Sequence, residues 1–202
     1  MGKEKLKKFT QESLISESSK GEIGAGVCLG YCIQFIKHFK KLGTSDNTAK
    51  EFGLTQGEGL KESLLDEGEK SVVTQNSSEG NVFDLFGNKN KLISLGFNVE
   101  VSKDLLADKD KTVSEIMSAS RFAFHILYHD VYKNAFEKAG WHVVALKGNG
   151  WDWFSTDRIY YAMDPNQGIW RLTGSDALAD WIWNDIKKIY EPFHMTVYTI
   201  TG

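Results

Sequence analysis

The stretch from Gly26 to Ile36, GVCLGYCIQFI, predicts a helix that begins at Cys28 and continues to about Leu42. Apolar residues follow the i, i+3, i+4, i+7 spacing of a buried helical stripe, at positions 29, 32, 33, 36 and 39. Gly43 is the expected end of the helix. Cys28 therefore falls in the first turn, where unpaired N–H groups and the positive end of the helix dipole favour a thiolate. This is a typical position for a nucleophilic cysteine.

The other cysteine of the chain, Cys32, lies one turn further along the apolar stripe, and we expect it to belong to the core. A disulfide to Cys28 is not expected, because a bridge between residues four apart in one helix has poor geometry. Two reduced thiols are typical of a protein that works in a cytosol.

Composition is that of one ordinary globular domain. The 202 residues are enough for a sizeable core, and 41% of them are hydrophobic and 25% charged. The formal net charge of −3 gives no reason to expect nucleic acid as a partner. No run of 18 apolar residues occurs, so no integral membrane segment is expected.

The N-terminus is polar. It lacks the apolar region of a Sec signal, because lysines and Glu4 alternate there with single apolar residues. Residues 1–20 predict a flexible lead-in, followed by one domain over residues 21–202.

The rest of the chain predicts helices first and a mainly antiparallel sheet second, which is an α+β arrangement. The predicted helical segments are 47–52, 59–65, 82–96, 113–118 and 176–190, with Ser175 as the cap of the last. The predicted strands are 97–101, 121–128, 141–146, 159–163, 169–172 and 193–200. Residues 130–138 are expected to be helix or loop, and a turn is expected at 148–150.

Two polar residues stand out among the apolar strands. His142 lies in the strand WHVVAL (141–146), and Asp164 ends a strand in YYAMDPNQG (160–168), where Asp-Pro-Asn predicts a turn. Each residue alone has an ordinary structural explanation. If these strands are neighbours, however, both side chains come to one sheet edge together with Cys28.

Three short blocks, GVC (26–28), WHVVAL (141–146) and DPNQG (164–168), resemble the cysteine, histidine and aspartate blocks of the YopT-type cysteine proteases. These are bacterial effectors with a papain-like fold. The spacing is 114 residues from Cys28 to His142 and 22 from there to Asp164. The resemblance covers roughly residues 20 to 200. It implies a papain-like fold in which a helical N-terminal half packs on a mainly antiparallel sheet.

The resemblance also implies a thiol protease without a cofactor or metal. In it, Cys28 is the nucleophile, His142 the base and Asp164 the residue that orients the imidazole. The oxyanion would be held by the backbone N–H of Cys28 and one upstream donor. Papain-like enzymes usually place Gln or Asn there, whereas residues 18–22 of this chain read SSKGE, so the second donor is unassigned.

Partners and localisation follow from the same resemblance. It implies a virulence effector or toxin secreted by a specialised, non-Sec route, and a protein substrate in the cytoplasm of a target cell. A cognate chaperone or an immunity protein is a further expected partner.

Other hypotheses remain open at this point. One is a papain-like amidase or acyltransferase on a non-protein amide such as peptidoglycan; NlpC-type hydrolases share the order Cys then His, but commonly use a second histidine where this chain has Asp164. Another is a catalytically inactive binding module. His125 and His129, with the two cysteines, are a weak candidate for a zinc site. Residues 151–154, WDWF, form either a binding loop or buried packing.

Overall fold

The computed structural model describes residues 2–8, 10, 28–52, 98–102, 109–119, 122–134, 137–151, 158–190 and 195–201. The helices predicted at 59–65 and 82–96 lie outside these ranges.

The described elements are, in chain order, β1 (Lys3–Lys7), α1 (Cys28–Leu42), α2 (Asp46–Phe52), β2 (Asn98–Ser102), α3 (Lys109–Ser118), β3 (Phe124–Asn134), β4 (Glu137–Trp151), β5 (Arg158–Asp164), β6 (Gly168–Thr173), α4 (Ser175–Asp180), a π-helical segment (Trp181–Lys187), α5 (Lys188–Tyr190) and β7 (Met195–Thr201).

All seven described strands form one antiparallel sheet in the order β1-β6-β5-β4-β3-β7-β2. The strands β3 to β6 are joined in sequence as a meander, and β7 returns beside β3. The predicted α+β arrangement with a mainly antiparallel sheet is confirmed.

The sheet is covered on both faces. Successive residues of a strand point to opposite faces, so Val143 and Ala145 of β4 pack with α1 and α2, while Val144 and Leu146 pack on the other side with α3 and the last helices. The central strand β4 is therefore apolar at successive positions, as expected for a strand buried on both faces.

Helix α1 has the predicted bounds, Cys28–Leu42. It ends where Gly43 adopts a φ of 79° and donates its N–H to the carbonyl of Phe39 at 3.0 Å. A positive φ is readily accessible to glycine, which explains why the helix stops there. Cys32 is fully buried in the core beneath this helix, as predicted.

The long hairpin of β3 and β4 differs from two predictions. Residues 130–138 are not helix or loop, because β3 continues to Asn134 and β4 begins at Glu137. The glycine pair 148–150 does not turn the chain either. Instead Gly148 donates its N–H to the carbonyl of Ala123 at 3.1 Å, and an irregularity in the β4–β5 register follows it. The glycines lie at a bulge within β4. Hydrogen bonds to the neighbouring strands make β3 and β4 longer than the local sequence indicates.

The start of the chain also differs from the expectation of a flexible lead-in. Residues Lys3–Lys7 form β1, which pairs with β6 at the edge of the sheet. The ammonium of Lys3 lies 2.6 Å from Asp180 and 2.5 Å from Asp185, and that of Lys5 lies 4.3 Å from the ring centroid of Trp170. These tertiary contacts hold a segment that has little apolar content of its own.

The last helix begins at the predicted place with a different start. Ser175 is its first residue and not its cap; the preceding residue, Gly174, has a φ of 86° and makes no side-chain cap. The predicted single α-helix is also interrupted, because Trp181–Lys187 is π-helical. Within the described ranges, no helix combines the length and apolar character needed to cross a membrane.

Candidate active site

Asp164 is the last residue of β5, at the start of a tight turn. Its Oδ1 accepts the backbone N–H of Asn166 at 2.8 Å, and its carbonyl accepts that of Gln167 at 3.0 Å. Proline at the second position of the turn fixes φ, and an aspartate in the first position accepts an N–H two residues on. Gly168 closes the turn with a φ of 116°. A Cβ at this position would lie 2.0 Å from the carbonyl oxygen of Lys7, so both the backbone angle and the space require glycine. The carboxylate is therefore fixed by its own turn.

His142 lies in β4 beyond the end of β5. The β4–β5 pairing begins at Ala145 with Met163, so the start of β4 runs past the turn that carries Asp164. The imidazole Nε2 donates a hydrogen bond to Oδ1 of Asp164 at 2.9 Å. Both residues are buried, with 4% and 0% of their surface exposed. The two strands predicted to be neighbours are neighbours, and they bring these side chains together.

Cys28 begins α1 and lies beside the start of β4. The first turns of the helix are fixed there by Cys32, whose Sγ donates to the carbonyl of Val143 at 3.5 Å. The side chain of Cys28 lies close enough to the imidazole of His142 to act on its charge, and it contributes to raising the pKa of His142. The structure thus joins His142 to Asp164 by a hydrogen bond and brings the side chain of Cys28 beside this pair.

The charges of the His142 imidazolium and the Asp164 carboxylate stabilise one another. Burial disfavours a charged imidazole, but hydrogen bonds and attraction to Asp164 and Cys28 outweigh it and raise the pKa of His142 to about 10. For Asp164, burial likewise opposes the charge, and the bond to His142 together with the turn N–H holds its pKa below the usual range. At neutral pH the imidazole is therefore an imidazolium facing a carboxylate, the partner that a thiolate requires.

Two further side chains meet Asp164, and the sequence did not indicate them as site residues. Gln167 donates from Nε2 to Oδ2 at 2.8 Å, and the hydroxyl of Tyr190 donates to the same oxygen at 2.8 Å. The Tyr190 ring is also stacked on the imidazole of His142, with centroids 4.5 Å apart. Gln167 lies within the DPNQG block, so that block already contained it. Tyr190 has no comparable signal, because its helix follows the turn by some twenty residues.

The zinc hypothesis gains no support. His125 lies on strand β3, as predicted, and its Nδ1 is 3.1 Å from the hydroxyl of Thr199, away from the two cysteines. Burial, with Lys147 and Arg158 nearby, lowers its pKa to about 4. Among the described side chains, no three His, Cys, Asp or Glu residues are grouped to hold a metal. Residues 18–22, which lack the Gln or Asn that usually supplies the second oxyanion donor, and the loop residues 152–154 lie outside the described ranges.

The two cysteines are expected to differ in reactivity. Iodoacetamide at neutral pH should alkylate Cys28 at least about 100-fold faster than Cys32. Cys28 has a histidine partner, whereas burial, with further contributions from Cys28 and Asp164, raises the pKa of the Cys32 thiol well above its usual value. Mass mapping of the labelled peptides over time gives both rates, and a chelator should change neither. Equal rates would mean that the nucleophile is wrongly assigned.

The fold and this cluster together define an α+β protein whose antiparallel sheet carries a buried, hydrogen-bonded histidine–aspartate pair beside a buried cysteine at the start of a helix. A similar fold is seen in the crystal structure of the Pseudomonas avirulence protein AvrPphB, with a TM-score of 0.58 over 96% of this chain and 100% of that one. The two sequences are 12% identical, so the similarity is one of fold. No protein-family model matches the sequence, and no curated protein is significantly similar to it.

Proposed function

We propose that this protein is a papain-like cysteine protease with Cys28, His142 and Asp164 as its catalytic triad. The observation that carries the proposal is the buried pair of His142 and Asp164, 2.9 Å apart between Nε2 and Oδ1, with the side chain of Cys28 close enough to act on the charge of the imidazole. Burial of two ionisable groups costs free energy unless they are paired, and their convergence on a cysteine at a helix N-terminus gives the pair a chemical role.

The mechanism follows from the order of the atoms. The Cys28 thiolate attacks the amide carbonyl carbon, and a C–S bond forms as the carbonyl π electrons move to oxygen. The intermediate then collapses to a thioester, and the C–N bond breaks as the imidazolium of His142 gives its proton to the leaving amine. Water next attacks the thioester while His142 takes its proton, the C–S bond breaks and the thiolate is restored. Asp164 holds Nε2 throughout, and the proposed mechanism assigns the proton transfers to Nδ1.

The backbone N–H of Cys28 is the first donor for the oxyanion. As the first residue of α1 it has no acceptor within its own helix, and the aligned peptide dipoles of the following 14 residues favour negative charge at this end. The protease domain would comprise residues 21–202, including upstream residues that contribute the second donor.

The expected setting is that of an effector or toxin which cleaves a protein substrate in the cytoplasm of a target cell. Support comes from the resemblance of three blocks to the YopT-type proteases and from the fold shared with an avirulence protein. Secretion by a specialised, non-Sec system and association with a cognate chaperone or immunity protein belong to the same proposal.

The proposal is tested with a peptide carrying a thiol-reactive electrophile, followed by mass mapping, and with parallel cleavage assays on unfolded protein and on purified peptidoglycan. We expect one adduct per chain, on Cys28, and cleavage of protein only. Cys32→Ala should label normally and Cys28→Ala should not label. Cleavage of peptidoglycan alone would assign an amidase, and a chain that neither labels nor cleaves would be a binding module; either result rejects the protease.

A further inference from the structure

Tyr190 contacts both His142 and Asp164 without belonging to the proposed triad. Its hydroxyl donates to Oδ2 of Asp164 at 2.8 Å, and its ring lies on the imidazole of His142 with an interplanar angle of 28°. We propose that Tyr190 is a positioning residue, which fixes the Asp164 carboxylate through its hydroxyl and covers one face of the imidazole through its ring. The inference rests on the proposed function, because positioning matters only if the imidazole transfers protons.

The hydroxyl completes the hydrogen bonding of the carboxylate. Oδ1 accepts from His142 and from the N–H of Asn166, and Oδ2 accepts from Gln167 and from Tyr190. Two donors on each oxygen leave the carboxylate little freedom to rotate away from the imidazole. The amide of Asn166 in turn donates to the Tyr190 hydroxyl oxygen at 3.2 Å, which leaves the hydroxyl proton directed at Asp164.

The hydroxyl remains a donor at every working pH. Burial, followed by the negative charge of Asp164, holds the pKa of Tyr190 far above its usual range. A phenolate beside the carboxylate would repel it, so this elevation secures the contact.

The ring acts on the imidazole itself. A stacked aromatic face at a centroid distance of 4.5 Å attracts an imidazolium and closes one side of it to water. Without that cover, water competes for the Nε2 proton and the imidazole is freer to tilt about its Cβ–Cγ bond. Since the side chain of Cys28 lies beside the same ring, a tilt would change the position of the base relative to the thiol.

The effect of Tyr190 on the pKa of Asp164 has a direction that can be measured. The titratable groups in contact with this carboxylate are His142 from β4 and Tyr190 from α5, and Lys5 from β1 and Cys32 from α1 are near enough to interact with its charge. The Tyr190 hydrogen bond is one of the contacts that lower the pKa of Asp164. Its removal therefore raises that pKa, so on acidification the carboxylate is neutralised, and the imidazolium loses its support, at a higher pH than in the wild type.

The first experiment measures the rate of Cys28 alkylation by iodoacetamide between pH 3.5 and 8 in wild-type protein and in Tyr190→Phe, which keeps the ring and removes the donor. We expect the acid limb to move up by about half to one pH unit, so that alkylation on that limb slows roughly three- to tenfold. The matched control is Tyr161→Phe, since Tyr161 of β5 likewise donates its hydroxyl to a carboxylate, that of Asp46, at 2.6 Å. The control should leave the profile unchanged.

The second experiment follows exchange of the His142 Nε2 proton by ¹⁵N-edited NMR. We expect Tyr190→Phe to retain its protection and Tyr190→Leu, which lacks the ring, to exchange it at least about tenfold faster. Superimposable acid limbs in wild type and Tyr190→Phe would overturn the role of the hydroxyl, and unchanged exchange in folded Tyr190→Leu would overturn that of the ring. If Tyr190→Leu does not fold, the alkylation profile of Tyr190→Phe decides alone. Neither readout needs a substrate. Failure of the proposed protease activity can therefore be distinguished from failure of the proposed role of Tyr190.

Discussion

Replacing Cys28 with alanine is expected to reduce turnover to the background of the assay while the protein keeps its fold. The change removes the atom that forms the thioester, and no other described residue can supply a nucleophile to the same histidine. The measurement is peptide-bond cleavage of the protein substrate found with the electrophilic probe, with circular dichroism and thermal melting on the same samples.

Cys32→Ala is the matched control for this experiment. Cys32 lies on the same helix, one turn further on, and is fully buried, so its replacement removes a thiol of the same size from the core. Loss of that buried atom should cost about 1 kcal/mol of the free energy of unfolding and leave turnover close to wild type. Full activity in folded Cys28→Ala, or inactivity in folded Cys32→Ala, would show the thiol mechanism to be wrong.

Substitutions at His142 and Asp164 should produce graded losses. His142→Ala removes both the base and the leaving-group acid, and we expect turnover to fall by about a thousandfold or more. Asp164→Asn keeps an acceptor for Nε2 and loses the charge, so its loss should be smaller, and Asp164→Ala should lie between the two. Combining Asp164→Ala with Cys28→Ala should add almost nothing, because members of one catalytic unit are not additive.

Two residues outside the cluster serve as controls for these changes. His125 is a histidine of the same sheet bonded to Thr199, and Asp46 accepts a tyrosine hydroxyl as Asp164 does. His125→Ala and Asp46→Asn should be destabilised without a comparable loss of turnover. If His125→Ala lost as much turnover as His142→Ala, the effect of both substitutions would be explained by disturbed packing and not by catalysis.

The pH dependence of stability gives the same assignment without a substrate. The pKa of His142 is raised from 6.5 to about 10. Its contribution to the free energy of unfolding is therefore complete below pH 6.5 and is lost as pH rises through about 10. The melting temperature of the wild type should therefore fall across this interval by more than that of His142→Ala. Asp164, with its lowered pKa, contributes above 3.8 and loses its contribution as pH falls below that value.

Local sequence signals were sufficient for the parts of the site that are built locally. The apolar stripe and Gly43 fix the bounds of α1, and Asp-Pro-Asn produces the turn that presents Asp164. Neighbouring strands then follow from short connections, which is why His142 and Asp164 were expected at one edge. These predictions depended on residues within one turn or hairpin of each other.

The remaining features depend on contacts between distant segments. Nothing local indicates that the lysine-rich start of the chain becomes β1, because its stability comes from pairing with β6 and from carboxylates near residue 180. The glycines near residue 148 look like a turn until β3 and β5 bond on either side of them. Tyr190 meets His142 only once the sheet and the last helix have packed together.

The π-helical segment Trp181–Lys187 has a consequence for how this protein is compared with others. A helix with i→i+5 hydrogen bonds holds more residues in each turn than an α-helix, so it shifts the angular phase of everything that follows. One residue corresponds to about 100° of rotation in an α-helix, enough to turn the Tyr190 ring from the imidazole to solvent. An aligned tyrosine in a homologue would therefore be equivalent only if the number of residues since Ser175 and the π-helical winding were both retained. Alignment gaps placed freely in this helix would conceal that difference.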